Sequence, residues 1–144
     1  MTSRLKDFNL QEVDLTEQDR VWNRAAMDDG GEEPRAGDRA LADLLYAHGM
    51  VMNGGVHHAL EVLTRDEMNA AIAGFRYFAL SAVAELLEEG LKDEGFGGDS
   101  VDAEGRANRR YWALIPDDEA IVVRFEAVYA SSPAEFAPLV QAHV

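Results

Sequence analysis

The sequence predicts an all-α fold, a single compact domain of six to eight short helices spanning residues 1–144. Thr64-Arg65-Asp66-Glu67 and Ser132-Pro133-Ala134-Glu135 both match the capping box, a hydroxyl at N-cap with a glutamate at N3. Five segments repeat apolar residues at helical spacing. The 144 residues, 47% hydrophobic and 28% charged, have the composition of one ordinary globular domain.

The elements follow in order. Residues 1–15 place Leu5, Phe8, Leu10, Val13 and Leu15 between polar neighbours and read as an extended N-terminal arm packed on the body. Thr16 offers an N-cap, with Glu17 and Asp19 in the first turn where the helix dipole favours acids. That helix runs to about Met27 and turns Val21, Trp22 and Ala25 inward. Residues 28–37, with three glycines and a proline, read as a loop.

Asp38 is the expected N-cap of the next helix, which carries Leu41, Leu44, Leu45, His48 and Met52. Asn53-Gly54-Gly55 ends it, because asparagine and glycine tolerate the left-handed backbone of a helix C-terminus. A short helix from Val56 to about Leu63 follows. The Thr64 box then opens a helix with Met68, Ala71, Ile72, Phe75 and Ala79 on its apolar stripe. Ser81 is the expected cap of another, with Val83, Leu86, Leu87 and Leu91.

Residues 94–105, with four glycines and four acids, read as a mobile loop. A helix over 104–114 is stopped by Pro116. The next begins after Asp117-Asp118-Glu119 and carries Ile121, Val122, Phe125, Val128 and Tyr129; its β-branched run 121–123 is where a strand competes. Pro133 at N1 predicts a terminal helix with Phe136, Leu139 and Val140. Trp22, Phe75, Leu86, Phe125 and Phe136 are expected in one core.

The chemistry-bearing patterns are sparse. There is no cysteine, hence no disulfide, thiolate ligand or cysteine nucleophile. His57, His58 and Glu61 resemble a helical metal pair but lack the further ligands that zinc needs. The acids from Asp93 to Glu104 fit no calcium-loop register. Gly95-Phe96-Gly97-Gly98 has neither the preceding strand nor the following lysine of a phosphate loop. No serine stands in a nucleophile elbow. Arg106, Arg109 and Arg110 with Tyr111 and Trp112 read as an internal counterweight to acid, with the aromatics in the core. No catalysis, cofactor or metal is expected. No apolar run is long enough to span a membrane and the N-terminus lacks the apolar stretch of a signal peptide, so a cytoplasmic protein is expected.

Charge is the outstanding property: 27 acids against 13 bases give −14, with a pI near 4.5. Such a field repels nucleic acid and anionic membrane and attracts a basic partner. Glu85, Glu88, Glu89 and Asp93 fall at i, i+3, i+4 and i+8, one helix face, with a carboxylate about every 4.5–6 Å. Glu94, Asp99, Asp102 and Glu104 extend the row, and from 85 to 104 eight acids face one base, Lys92. A merely solvated face is the alternative reading.

Four stretches carry a resemblance: Val51-Met52-Asn53-Gly54-Gly55-Val56-His57-His58, Ala70-Ala71-Ile72-Ala73-Gly74-Phe75, Ala82-Val83-Ala84-Glu85-Leu86-Leu87 and Arg110-Tyr111-Trp112-Ala113-Leu114. Through them the region 44–143 resembles a bacterial family of DNA-mimic proteins and their uncharacterised relatives, in which an Asn-Gly-Gly turn joins two helices. The resemblance implies an all-α fold, no catalysis, and an acidic surface that occupies the DNA-binding face of a basic regulator. Partner-binding residues would be Glu85, Glu88, Glu89, Asp93, Glu94 and Asp99. Two other readings stay open: a ligand or enzyme pocket at Asn53, Gly54 and Gly55 with His57 or His58, and an immunity-type protein that neutralises a basic toxin. A homodimer is compatible with each.

Overall fold

The computed structural model describes residues 15–139, in which seven α-helices and two 3-10 turns follow one another with no strand. The helices are α1 (Glu17–Asp28), α2 (Ala36–Gly54), α3 (Val56–Val62), α4 (Arg65–Tyr77), α5 (Ser81–Gly90), α6 (Val101–Leu114) and α7 (Glu119–Ser131). The 3-10 turns are Gly95–Gly97 and Pro133–Glu135. The arm expected over 1–15 lies, but for Leu15, outside the described residues.

Helix α2 is the hub. It packs against α1, α3 and α4, while α5 closes on α4 and α6 crosses α3 and α5. The α2–α4 approach depends on Gly74, where a Cβ would lie 2.5 Å from the Ala40 carbonyl oxygen. Leu41, Leu44, Phe75, Phe78, Leu86, Tyr111, Ile121 and Phe125 fill the core. Phe136 joins it edge-on to Phe125, with ring centroids 5.6 Å apart. Trp22 lies at its margin, half-buried and edge-on to Phe125.

The expected caps at Thr16 and Thr64 form: each hydroxyl accepts the N3 backbone N–H, and Asp19 and Glu67 return the bond. The Ile121–Val123 run is helical. Its Ile121 is buried beside Phe125, so tertiary burial outweighs β-propensity.

Several boundaries differ from expectation. Asp38 is not an N-cap. The N-cap is Arg35, three residues earlier, and Asp38, at N3, turns its buried carboxylate back to accept the Arg35 N–H at 3.0 Å. Ser81 is the first helical residue and caps nothing, and Ala79 sits exposed at positive φ beyond α4. Residues 94–105 are only briefly a loop. Ser100 caps α6 through the Ala103 N–H, and Phe96 is buried, which makes the stretch an anchored turn.

Among the described residues the terminal helix is absent. Only the 3-10 turn forms before Phe136 becomes extended. Glu135 gives its carboxylate to the Tyr77 hydroxyl (2.6 Å) instead of capping Ser132. Asp38 then draws the extended chain down by accepting the Ala137 N–H at 2.7 Å. Val140 lies outside the described residues.

Candidate functional site

Helix α5 positions three of the six acids expected to bind a partner. Val83, Ala84, Leu86 and Leu87 bury its inner side, leaving Glu85, Glu88 and Glu89 outward. Asp93 does not share the helix face, since α5 ends at Gly90. A Cβ at Gly90 would lie 2.8 Å from the Phe96 ring and 2.6 Å from Leu60. The chain turns there to seat Phe96, with Glu94 and Phe96 both at positive φ. Asp93, Glu94 and Asp99 are consequently exposed on the turn that follows the helix.

Two of the six carboxylates are already answered. Arg76 of α4 donates to Glu88 through both terminal nitrogens, at 2.6 and 3.0 Å. Arg110 of α6 pairs with Glu89 at 3.0 Å and lies over the Phe96 ring at 5.7 Å from its centroid. These hydrogen bonds and charges hold the Glu88 and Glu89 carboxyls below the usual carboxylate range. Glu85, Asp93, Glu94 and Asp99 have no ion-pair partner among the described residues. The counterweight expected of the arginine cluster is thus visible at Arg110. Arg106 bonds the Phe96 carbonyl at 3.2 Å, and Tyr111 is fully buried.

At the Asn53-Gly54-Gly55 turn, Gly55 has φ +96° and alone separates α2 from α3. The space above it is taken by Asn108 of α6, whose Oδ1 accepts the Val56 N–H at 2.9 Å. Gly54 packs under the His58 ring. His57 points elsewhere: its Nε2–H donates to the Gly98 carbonyl (3.1 Å), and its Nδ1 is buried without a partner. The adjoining cavity, of about 160 Å³, has Glu61, Glu94 and Asp99 on its walls. No group of three or more metal-ligating side chains is assembled among the described residues.

A chain of hydrogen bonds ties three elements together. His48 of α2 meets the Tyr111 hydroxyl through Nδ1 (2.7 Å) and Asp118 through Nε2 (2.9 Å). With Asp118 ionised, Nε2–H donates and Nδ1 accepts from the tyrosine. Burial first, then the Asp118 charge, pushes the Tyr111 hydroxyl well above the ordinary range. Tyr111 is wholly enclosed and its role is to anchor α6 and the start of α7 on α2.

Sequence reasoning missed one face. Asp29, Asp43 and Asp66, from the end of α1, from α2 and from α4, line a groove with Tyr46, which is 48% exposed. Burial and the Asp29 charge raise the Asp43 carboxyl above its usual range, outweighing Arg39. The three acids stand 14 or more residues apart in the chain, so no local spacing announces them.

No helix among the described residues is long and apolar enough to cross a membrane. No curated protein and no solved structure matches the chain. A family model, described as DMP19-like protein, matches residues 32–143 and so begins twelve residues ahead of the region whose resemblance was legible. With well over half its length matched, the chain belongs to the DMP19-like protein family.

Proposed function

We propose that this protein is a non-catalytic acidic decoy, which occupies the DNA-binding face of a basic regulator with carboxylates standing in for phosphates. Membership of a DNA-mimic family is the observation that carries the reading, and the net charge of −14 supports it. A surface of that sign raises the encounter rate with a basic partner by long-range attraction and disfavours nucleic acid and anionic membrane. On the α5 side, Glu85, Asp93, Glu94 and Asp99 are the carboxylates free to answer a partner's cations. Glu88 and Glu89 contribute only by exchanging Arg76 and Arg110 for the partner.

Immobilised protein exposed to lysate of its source cell tests the reading. A basic DNA-binding protein should be retained at low salt and lost near 1 M, where the Debye length has shrunk from ~10 Å to ~3 Å. Reversing Glu85, Asp93, Glu94 and Asp99 to lysine should weaken retention while leaving the helical signal unchanged, since Glu85 alone of the four lies in a helix and lysine and glutamate are comparable helix formers. Retention that is indifferent to salt contradicts the decoy. Retention unchanged by the fourfold reversal removes the α5 side from the interface.

A further inference from the structure

The α2 face around Tyr46 combines what the α5 side lacks: exposed apolar surface beside unanswered carboxylates. Tyr46 and Met52 are 48% and 55% exposed on one helix. Tyr46 stands as a ridge between two grooves that share Asp29, Ala42 and Tyr46 itself. The groove on the α1 side, of about 590 Å³, is walled by Trp22, Leu45 and Met52. The groove on the α4 side, of about 600 Å³, is walled by Asp29, Asp43, Asp66 and Glu67 against a single cation, Arg39. An aromatic ring bordered by carboxylates suits a guanidinium, which stacks on the ring while its N–H groups reach the acids. The apolar trough next to it suits a large aliphatic or aromatic side chain on the same face of the incoming element.

We propose that this face docks a basic amphipathic helix of the partner, with an arginine over Tyr46 against Asp29, Asp43 and Asp66, and an apolar side chain between Trp22 and Met52. The proposal rests on the decoy reading for the identity of the partner and on the groove alone for its chemistry. Asp43 adds to what the groove geometry shows. Its carboxyl is raised by burial and by Asp29, so an arriving cation relieves an existing repulsion. At Glu88 and Glu89 of α5 an arriving cation must instead displace Arg76 or Arg110.

The probe is a synthetic helical peptide of arginine and leucine, titrated into the isotope-labelled full chain and followed by NMR. Shifts should concentrate at the amides of Asp43, Tyr46, Met52 and Asp66. Tyr46→Ala should weaken binding about ten-fold, Tyr46→Phe should retain it, and replacing the peptide's arginines with lysine should weaken it. Tyr46 is half-exposed, and an unchanged melting temperature of both variants confirms that the fold is intact. Shifts spread over all the acids, shifts centred on 85–99, or Tyr46→Ala binding like the parent would each overturn the proposal. So would self-association abolished by Tyr46→Ala, which assigns the face to a second copy. Displacement of DNA is not read here, so a failed decoy reading leaves the peptide footprint standing. A failed footprint, in turn, leaves DNA displacement intact.

Discussion

The guanidinium of Arg76 spans both carboxylate oxygens of Glu88, at 2.6 and 3.0 Å, and so converts a member of the acidic row into half of an ion pair. Arg110 does the same to Glu89. The regular row of charge on α5 is therefore interrupted at its centre. Asp43, by contrast, has no such arginine bond among the described residues: it is half-buried beside Asp29, and burial and that charge both raise its carboxyl.

These pairs predict an acid-sensitive component of stability. Glu88 and Glu89 are held below the ordinary value of 4.5, so the folded state resists protonating them. Their contribution is complete above that value and is lost as pH falls through the depressed one. The double variant Arg76→Ala/Arg110→Ala should melt slightly below the parent at pH 7, with the gap closing toward pH 3. Both pairs are solvent-exposed, so the gap should also narrow in high salt. A gap that is constant with pH contradicts the assignment.

Asp43 predicts the opposite sign. Its carboxyl is raised above 3.8 by burial and Asp29, so the folded state holds its proton more tightly than the unfolded chain. The ionised form costs stability at neutral pH, and the cost disappears once the group is protonated in both states. Asp43→Asn should melt above the parent at pH 7 and lose that advantage near pH 3. Melting below the parent at pH 7 would contradict a carboxyl raised by burial and Asp29.

The helix turn predicts a graded series in urea. Gly55→Ala places a side chain at φ +96° and 3.0 Å from Asn108 Oδ1, and should cost about 1 kcal/mol or more. Asn108→Ala leaves the Val56 N–H without its acceptor and should cost about 1–3 kcal/mol. If both variants unfold at the parent's midpoint, the α6 contact does not hold the turn.

Asp38 predicts the largest single loss. Its fully buried carboxylate meets Arg24 at 2.8 Å and accepts the Arg35 and Ala137 N–H groups. Asp38→Ala leaves the Arg24 cation mostly buried and unpaired, at a cost of about 3–5 kcal/mol. Amide exchange should rise at Ala137 before the helices open, because the carboxylate is the acceptor that holds the Ala137 N–H against α2. Unchanged exchange there contradicts the tie.

The helices were legible wherever local chemistry and burial agreed. Thr16 and Thr64 announced their starts, and the stripes through Phe75, Leu86 and Phe125 announced their inner faces. Errors arose where a distant partner decided the outcome. Asp38 looked like a cap from its neighbours, but Arg24 and Ala137 claim its carboxylate. Glu135 completed a capping box on paper, while the Tyr77 hydroxyl holds its side chain. The glycines of 94–105 suggested solvation, yet the turn, with Glu94, Phe96, Gly97 and Gly98 all at positive φ, buries Phe96. The α5 acids were visible as a spacing. Their arginine partners, from α4 and α6, were not, and neither was the meeting of Asp29, Asp43 and Asp66 around Tyr46.

The most direct measurement is a competition by fluorescence anisotropy. A basic DNA-binding protein retained by this chain is bound to a labelled duplex at fixed ionic strength, and the chain is added. A decoy that occupies the DNA-binding face must lower the anisotropy to that of free duplex, and excess unlabelled duplex must in turn release the chain from its partner. Both effects should weaken together as salt rises. A ternary complex, in which the partner holds duplex and chain at once, would contradict the central claim.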